Sequence, residues 1–163
     1  MEEEFKIIPN FENYSVSNFG NVRNNKTGRV LKPYDSGRGY LFVDLNNGKR
    51  KTIQVHRLVA LSFLENPENY KEVDHIDQVK TNNRFDNLRW CSRNQNNRNV
   101  KKRSNTSSTY KGVSWHKFHN KWASTITLNK RNTHLGYFET EEEAFECFKK
   151  FVISHNLNDF YNL

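Results

Sequence analysis

The sequence predicts an α+β chain assembled from several small modules, and three observations carry that expectation. Runs of alternating apolar and polar residues fill the first third and recur after residue 110. Only two segments carry apolar residues at helical spacing, one beginning at Val55 and one at Thr140. Hydrophobic residues make up 34% of the 163-residue chain, low for one large core, while 13% aromatic content supplies bulky anchors for small ones.

The first module, residues 1–54, reads as antiparallel strands. "YSVSNFGNVRN" alternates around the turn signal Asn18-Phe19-Gly20, which places Tyr14, Val16 and Val22 in a core. "YLFVDLNNGKRKTIQV" is two alternating runs around Asn47-Gly48, a strong hairpin cue. The second module, 55–98, opens with "VHRLVALSFLEN", where Val55, Leu58, Val59 and Ser62/Phe63 recur at helical spacing. The stretch "NVKKRSNTSST", 99–109, is small, polar and basic and reads as a linker. The last module, 110–163, has three strand-like runs, "YKGVSW", "KWASTITL" and "THLGYF". A helix then starts at Thr140, three residues before Glu143, with Ala144, Phe148, Phe151, Val152 and His155 as its apolar stripe. The expected outcome is a three-stranded sheet covered by one helix and open on its other face. Trp115 is expected to be buried in that sheet, and Trp122 divides evenly between core and surface.

Charge points to a polyanion. The net charge is +8, and from Asn87 to Phe138 there is no Asp or Glu. Arg89, Arg93, Arg98, Lys101, Lys102, Arg103, Lys111, Lys117, Lys121, Lys130 and Arg131 all fall in that interval. Like charges so concentrated repel unless neutralised, so nucleic acid is the natural partner. Cys91 and Cys147 are the only cysteines and form no C-x-x-C pair, which argues against a zinc ribbon or a disulfide framework. The acidic start "MEEEFKII" is no secretory signal, and no run is long enough to span a membrane. The expectation is a soluble, cytoplasmic protein.

The chemistry concentrates in "EVDHIDQVKTNNRFDNLRWCSRNQNN", residues 72–97. Asp and Asn offer hard oxygen ligands, which suit Mg²⁺ rather than zinc. One carboxylate and one amide would leave coordination positions for water and phosphate oxygens. A histidine with an ordinary pKa of about 6.5 can accept a proton from water near neutral pH. Metal, anionic ligand and base together suffice for phosphodiester hydrolysis. Asn82 and Asn83 are expected to form a loop by capping their own backbone. For Asn94, Asn97 and Asn99 phosphate contact and simple solvation stand equal.

"VDH", "DNLRW" and "NQNN", in that order and preceded by "VHRLVA", resemble the HNH nuclease signature in the variant where Asn replaces the final His. The resemblance implies a ββα-metal unit holding one divalent cation, Mg²⁺ or Mn²⁺. It makes His75 the general base, Asp74 and Asn96 the metal ligands, and Asn87 the asparagine that holds the loop between the strands. For Asp74 and His75 to serve one site, the strand carrying them must end or twist there. "NYSVSNFGNVRN" is similar to a small module found ahead of HNH domains in phage and intron-encoded endonucleases, with a role in DNA contact or scaffolding. "YKGVSW", "LGYF" and "TEEEA" resemble the Apetala/ethylene-response-factor DNA-binding domain, whose open sheet face enters the major groove. That likeness implies base or phosphate contact by Lys111, Ser114, His116, Phe118, Thr125, Thr127 and His134. Lys117, Lys121 and Arg131 could add phosphate contacts. Several of these positions are Arg or Trp in the plant proteins, so the plant target sequence does not carry over.

The order of the three resemblances is that of phage HNH homing endonucleases of the I-HmuI type, whose C-terminal reader differs. They imply a site-specific, metal-dependent DNA endonuclease acting on double-stranded DNA. A monomer with one active site would nick, a dimer would cut both strands, and no obligatory protein partner is evident. The competing expectation is a non-catalytic DNA-binding regulator with a relic HNH unit.

Overall fold

The computed structural model describes residues 1–100, 105–128 and 131–161. Lys101, Lys102, Arg103 and Lys130 of the basic interval lie outside the described residues. The chain divides into two compact units, residues 1–96 and 97–163.

In the first unit, β1 (Phe5–Ile8), β2 (Phe11–Ser17) and β3 (Val22–Asn24) form one antiparallel sheet. β4 (Tyr34–Asp35), β5 (Leu41–Asn46) and β6 (Arg50–Gln54) form a second. The Asn47-Gly48 cue falls where expected, in the loop closed by the Asn46–Arg50 pair of β5 and β6. Helix α1 (Val55–Phe63) follows directly, and the hairpin of β7 (Glu72–His75) and β8 (Leu88–Cys91) comes next. These elements share one hydrophobic core. Val16 and Val22 of the first sheet, Val43 and Leu45 of the second, Leu58 and Val59 of α1, and Leu88 of β8 are all buried in it. Residues 1–54 and 55–98, which the sequence pattern separates, are thus joined by burial. The reason is quantitative: each small sheet offers only a few apolar side chains, too few to exclude water alone.

The turn Asn18-Phe19-Gly20 makes the junction. Asn18 O accepts from the Phe85 amide at 2.9 Å. The Arg84 guanidinium lies 4.6 Å from the centre of the Phe19 ring. Gly20, at φ +90°, sits so close to Asn83 that a Cβ there would come within 2.9 Å of Asn83 Cβ. Only glycine fits both the backbone angle and the gap.

The short helix α2 (Arg93–Arg98) starts at a capping box that the sequence reading passed over. Gln95 Oε1 accepts from the Ser92 amide at 2.8 Å, and Ser92 Oγ accepts from the Gln95 amide at 3.3 Å. This fixes the turn that carries Asn96.

The second unit contains β9 (Val113–His116), β10 (Lys121–Leu128) and β11 (Arg131–Phe138) in one antiparallel sheet, with α3 (Glu141–Ser154) on one face. The capping box at Thr140 is present: Thr140 Oγ1 accepts from the Glu143 amide at 3.2 Å. Ile126, Phe148, Val152 and Tyr161 form the centre of its core. Gly112, at φ +72°, passes directly over Phe148, where a Cβ would come within 2.1 Å of the ring. Three expectations need correction. His155 is exposed as the C-cap of α3 and leaves the apolar stripe at Val152. Trp115, expected inside, is 39% exposed and packs edge-on against Trp122 at 5.3 Å. Ser108 and Thr109 behave as part of the fold rather than as linker. The Ser108 hydroxyl and the Thr109 amide both donate to Glu141 Oε1, at 2.7 and 2.9 Å.

Candidate active site and nucleic-acid interface

β7 is four residues long and ends at His75, where the chain turns away from the sheet. Its register pairs Asp74 with Arg89 and His75 with Leu88. Neighbours on a strand point to opposite faces, and the two side chains do meet different partners. Asp74 Oδ2 accepts from Arg89 Nε at 3.0 Å and Nη2 at 2.7 Å, in an ion pair with both side chains largely buried. His75 turns to the loop, where its Nε2 lies 3.1 Å from Asn83 Oδ1. An amide oxygen only accepts, so Nε2 carries hydrogen and Nδ1 becomes the basic nitrogen. Asn83 is buried and holds the imidazole; it does not cap its own backbone as the sequence reading expected.

Three rings gather at that point. His56, the second residue of α1, meets the His75 ring edge-on at 4.9 Å. Tyr40 lies 5.3 Å from His56 and 6.0 Å from His75. Burial pushes the His56 pKa down to about 3, with His75 and Arg57 adding to the effect. Burial also lowers the His75 pKa, against the opposite pull of Asn83, Asp77 and Asp74. The imidazole is therefore neutral at neutral pH, the form a general base requires.

Asn87 closes the loop from the other side. Its Nδ2 donates to Asp77 Oδ1 at 2.9 Å and to the Asn82 carbonyl at 2.8 Å, and its Oδ1 accepts from the Asp77 amide at 3.0 Å. Asn82 Nδ2 donates to Asp77 Oδ2 at 2.7 Å. Burial would raise the Asp77 pKa, but hydrogen bonds from Asn82, the Val79 amide and Asn87 outweigh it and lower the pKa.

Asp74 and Asn96 both border Cys91. The thiol is buried, its pKa pushed up to about 12 chiefly by burial and secondly by the Asp74 charge, and it takes a hydrogen bond from the Asn96 backbone. Among the described residues no three His, Cys, Asp or Glu side chains cluster around a potential metal position. The donors on offer are a carboxylate and an amide oxygen. Such a pair suits a hard divalent ion that keeps most of its waters, and it does not suit zinc. The residues present fit that ion class.

Asp74, His75, Asn87 and Asn96 all lie in the first unit. The sequence pattern gives no role to His56, Tyr40 or Asp77, counts Arg89 only as bulk positive charge, and gives Asn83 only a loop-capping role. His56 stood inside the quoted "VHRLVA" and could have been noticed; Asn83 shows its role only through contacts.

The remaining candidates lie on the second unit. Cross-strand pairs Ala123–Tyr137, Ala123–Ser114, Thr125–His134 and Lys121–His116 define the sheet face opposite α3. Ser114, His116, Thr125, Thr127 and His134 belong to it by strand alternation. Lys121 is on the same row, paired with Glu139 at 2.7 Å. Lys117 and Phe118 are exposed on the β9–β10 turn, and Lys111 donates to the Arg98 carbonyl at 2.9 Å. Arg131 pairs with Leu128, in the row that faces α3. Asn94 and Asn97 are exposed, whereas Asn99 is buried.

Comparison with known proteins gives two family matches: the NUMOD4 motif over residues 3–46 and the HNH endonuclease family over residues 54–98. The DNA endonuclease I-HmuI of Bacillus phage SP01 is 46% identical over 91 residues, which are 55% of this chain and 52% of that protein. An uncharacterised HNH endonuclease of Acanthamoeba polyphaga mimivirus is 42% identical over 90 residues, 55% of this chain and 27% of its own length. The chain thus spans about half or less of the curated relatives it matches. A solved structure of the HNH homing endonuclease I-HmuI, described by its DNA binding and cleavage, superposes with a TM-score of 0.54 at 30% identity, covering 94% of this chain and 91% of that one.

Proposed function

The chain belongs to the HNH endonuclease family, and from that premise we propose that it is a site-specific DNA endonuclease dependent on a divalent metal such as Mg²⁺ or Mn²⁺. The observation that carries the reading is the end of β7, where a neutral imidazole held through Nε2 stands next in sequence to a buried carboxylate. In this reading His75 Nδ1 takes a proton from water as the water attacks phosphorus in line. Asp74 and Asn96 would hold the ion. When bound, the ion stabilises charge developing on the phosphate and on the leaving 3′ oxygen. The products carry a 5′-phosphate and a 3′-hydroxyl. Asn83 and His56 position the base, and Asn87 fixes the loop that brings Asn83 to it. The N-terminal strands serve as scaffold for this loop, a role supported by the contacts of Asn18, Phe19 and Gly20.

The second unit is the DNA-binding module of the Apetala/ethylene-response-factor type, its open sheet face entering the major groove. A three-stranded sheet with one helix on one face supports that assignment, as does the lack of Asp and Glu from Asn87 to Phe138. The working division is then a nuclease-associated part, 1–54, and a nuclease part, 55–98, on one shared core, followed by a connector that ends before Ser108 and the DNA-binding module beyond it. Joining this module to the nuclease unit on one chain raises the effective concentration of the nuclease at a bound target.

Supercoiled plasmid with Mg²⁺ tests the reading. His75→Ala should slow cleavage by roughly 10²–10⁴-fold with DNA binding intact, the range a general base supplies. Asp74→Ala should lose activity in Mg²⁺. Undiminished cutting by His75→Ala, or full activity in EDTA, overturns the mechanism; a native chain that binds DNA but never cuts it is a regulator.

A further inference from the structure

We propose that the open face of the C-terminal sheet reads A·T base pairs, Asn132 contacting adenine and Thr125, Thr127 and Tyr137 contacting thymine methyl groups. The inference rests on the reading of the chain as a DNA endonuclease and adds the class of sequence it selects.

Each base edge in the major groove has a preferred side-chain partner. Guanine is read by Arg or Lys, cytosine by Asp or Glu, adenine by Asn or Gln, and the thymine methyl by apolar groups including the Thr methyl. The open face can be surveyed against that scheme from its register. Thr127 pairs with Asn132, and both are exposed, one step along from the Thr125–His134 pair of the same row. Tyr137 pairs with Ala123 further up the face and is 39% exposed. Its ring is fixed by three imidazoles: His134 at 4.3 Å, His119 at 4.5 Å and His116 at 5.0 Å. A rigid aromatic surface with methyl groups beside it suits the thymine methyl.

The partners for G·C are missing from the centre of the face. Among its described residues, the one Lys and the one carboxylate, Lys121 and Glu139, sit together at the edge and neutralise each other at 2.7 Å. Arg131 falls in the opposite row. Charge still commits the face to a nucleic acid, since no Asp or Glu at all occurs from Asn87 to Phe138 to repel phosphate. The positive charge grips the backbone, and the neutral centre is left to discriminate among bases.

The test uses the full chain carrying His75→Ala, so that bound duplex survives, and selects from duplexes with a randomised cassette. The expected result is enrichment of A·T pairs over adjacent positions. Asn132→Ala should relax the preference at one adenine by roughly tenfold, the worth of one bidentate contact, without changing affinity for unrelated duplex. Replacing thymine by deoxyuridine in the selected site removes only the methyl groups and should weaken binding by about fourfold per contacted methyl. Asn132 is exposed, so its variant keeps the fold, and an unchanged thermal melt verifies this. A G·C-rich consensus, an unaltered preference in Asn132→Ala, equal affinity for the deoxyuridine site, or stronger binding to RNA than to duplex DNA would each overturn the inference. If the native chain still cuts DNA in any of those cases, only the A·T assignment has failed. If the native chain neither binds duplex DNA nor cuts it, the endonuclease reading fails and the assignment with it.

Discussion

The two units treat polar side chains in opposite ways. In the first, His75, Asn83 and Asn87 are buried and tied to one another's surroundings, and Asp74 is locked to Arg89. In the second, Thr127, Asn132 and His134 stand exposed on a sheet whose other face is packed under α3. Under the proposed function, the contrast follows from what each surface would do. A proton transfer needs donor and acceptor within a few tenths of an ångström before substrate arrives, so those groups are fixed by burial and hydrogen bonds. A base reader must leave its donors and methyls uncovered, because their partners come from outside.

That contrast can be broken at three points of decreasing size. The largest effect is expected at His56. Its folded pKa of about 3 lies below the ordinary 6.5, so the unfolded chain binds the extra proton first. Stability from keeping this ring neutral is complete above pH 6.5 and is lost as pH falls toward 3, by a few kcal/mol in total. His56→Phe should flatten this acid limb in chemical denaturation measured across pH. An unchanged limb would show that His56 is not the group responsible.

Next comes Gly20→Ala. A Cβ at φ +90° and 2.9 Å from Asn83 Cβ must displace Asn83 and with it the partner of His75. A loss of about 2 kcal/mol in stability is expected. Cleavage should fall more than DNA binding does, as rate and affinity measured on the same variant will reveal. Equal losses in both would make Gly20 a matter of folding alone. The smallest effect belongs to the second unit. Thr140→Ala removes the α3 cap and should cost about 1 kcal/mol in denaturation, with the cleavage rate at 25 °C unaltered.

How much of this was legible in the sequence depends on the range of each contact. The Asn47-Gly48 hairpin, the α1 stripe and the Thr140 capping box are local patterns, and the structure carries all three. The Asp74-His75 pair stands out in the sequence because its spacing to Asn87 and Asn96 resembles a known signature, and the structure places both residues at the end of β7. Asn83 was misread because a run of two asparagines suggests a self-capped loop, while its actual partners, His75 and Gly20, lie 8 and 63 positions away. The meeting of Tyr40, His56 and His75 is likewise a product of packing, since nothing in the periodicity of any one segment encodes it. Trp115 was misplaced because a tryptophan in a strand is usually core, and here the sheet edge leaves it uncovered.

The Cys91 thiol has a practical use. With its pKa near 12 and no exposed surface, it resists maleimide at neutral pH, whereas Cys147 on α3 is only half-buried. A fluorophore added to the unmodified protein should therefore attach to α3, behind the sheet proposed to read DNA, and leave the unit that carries His75 unlabelled, which allows binding to be followed optically without first engineering out a cysteine.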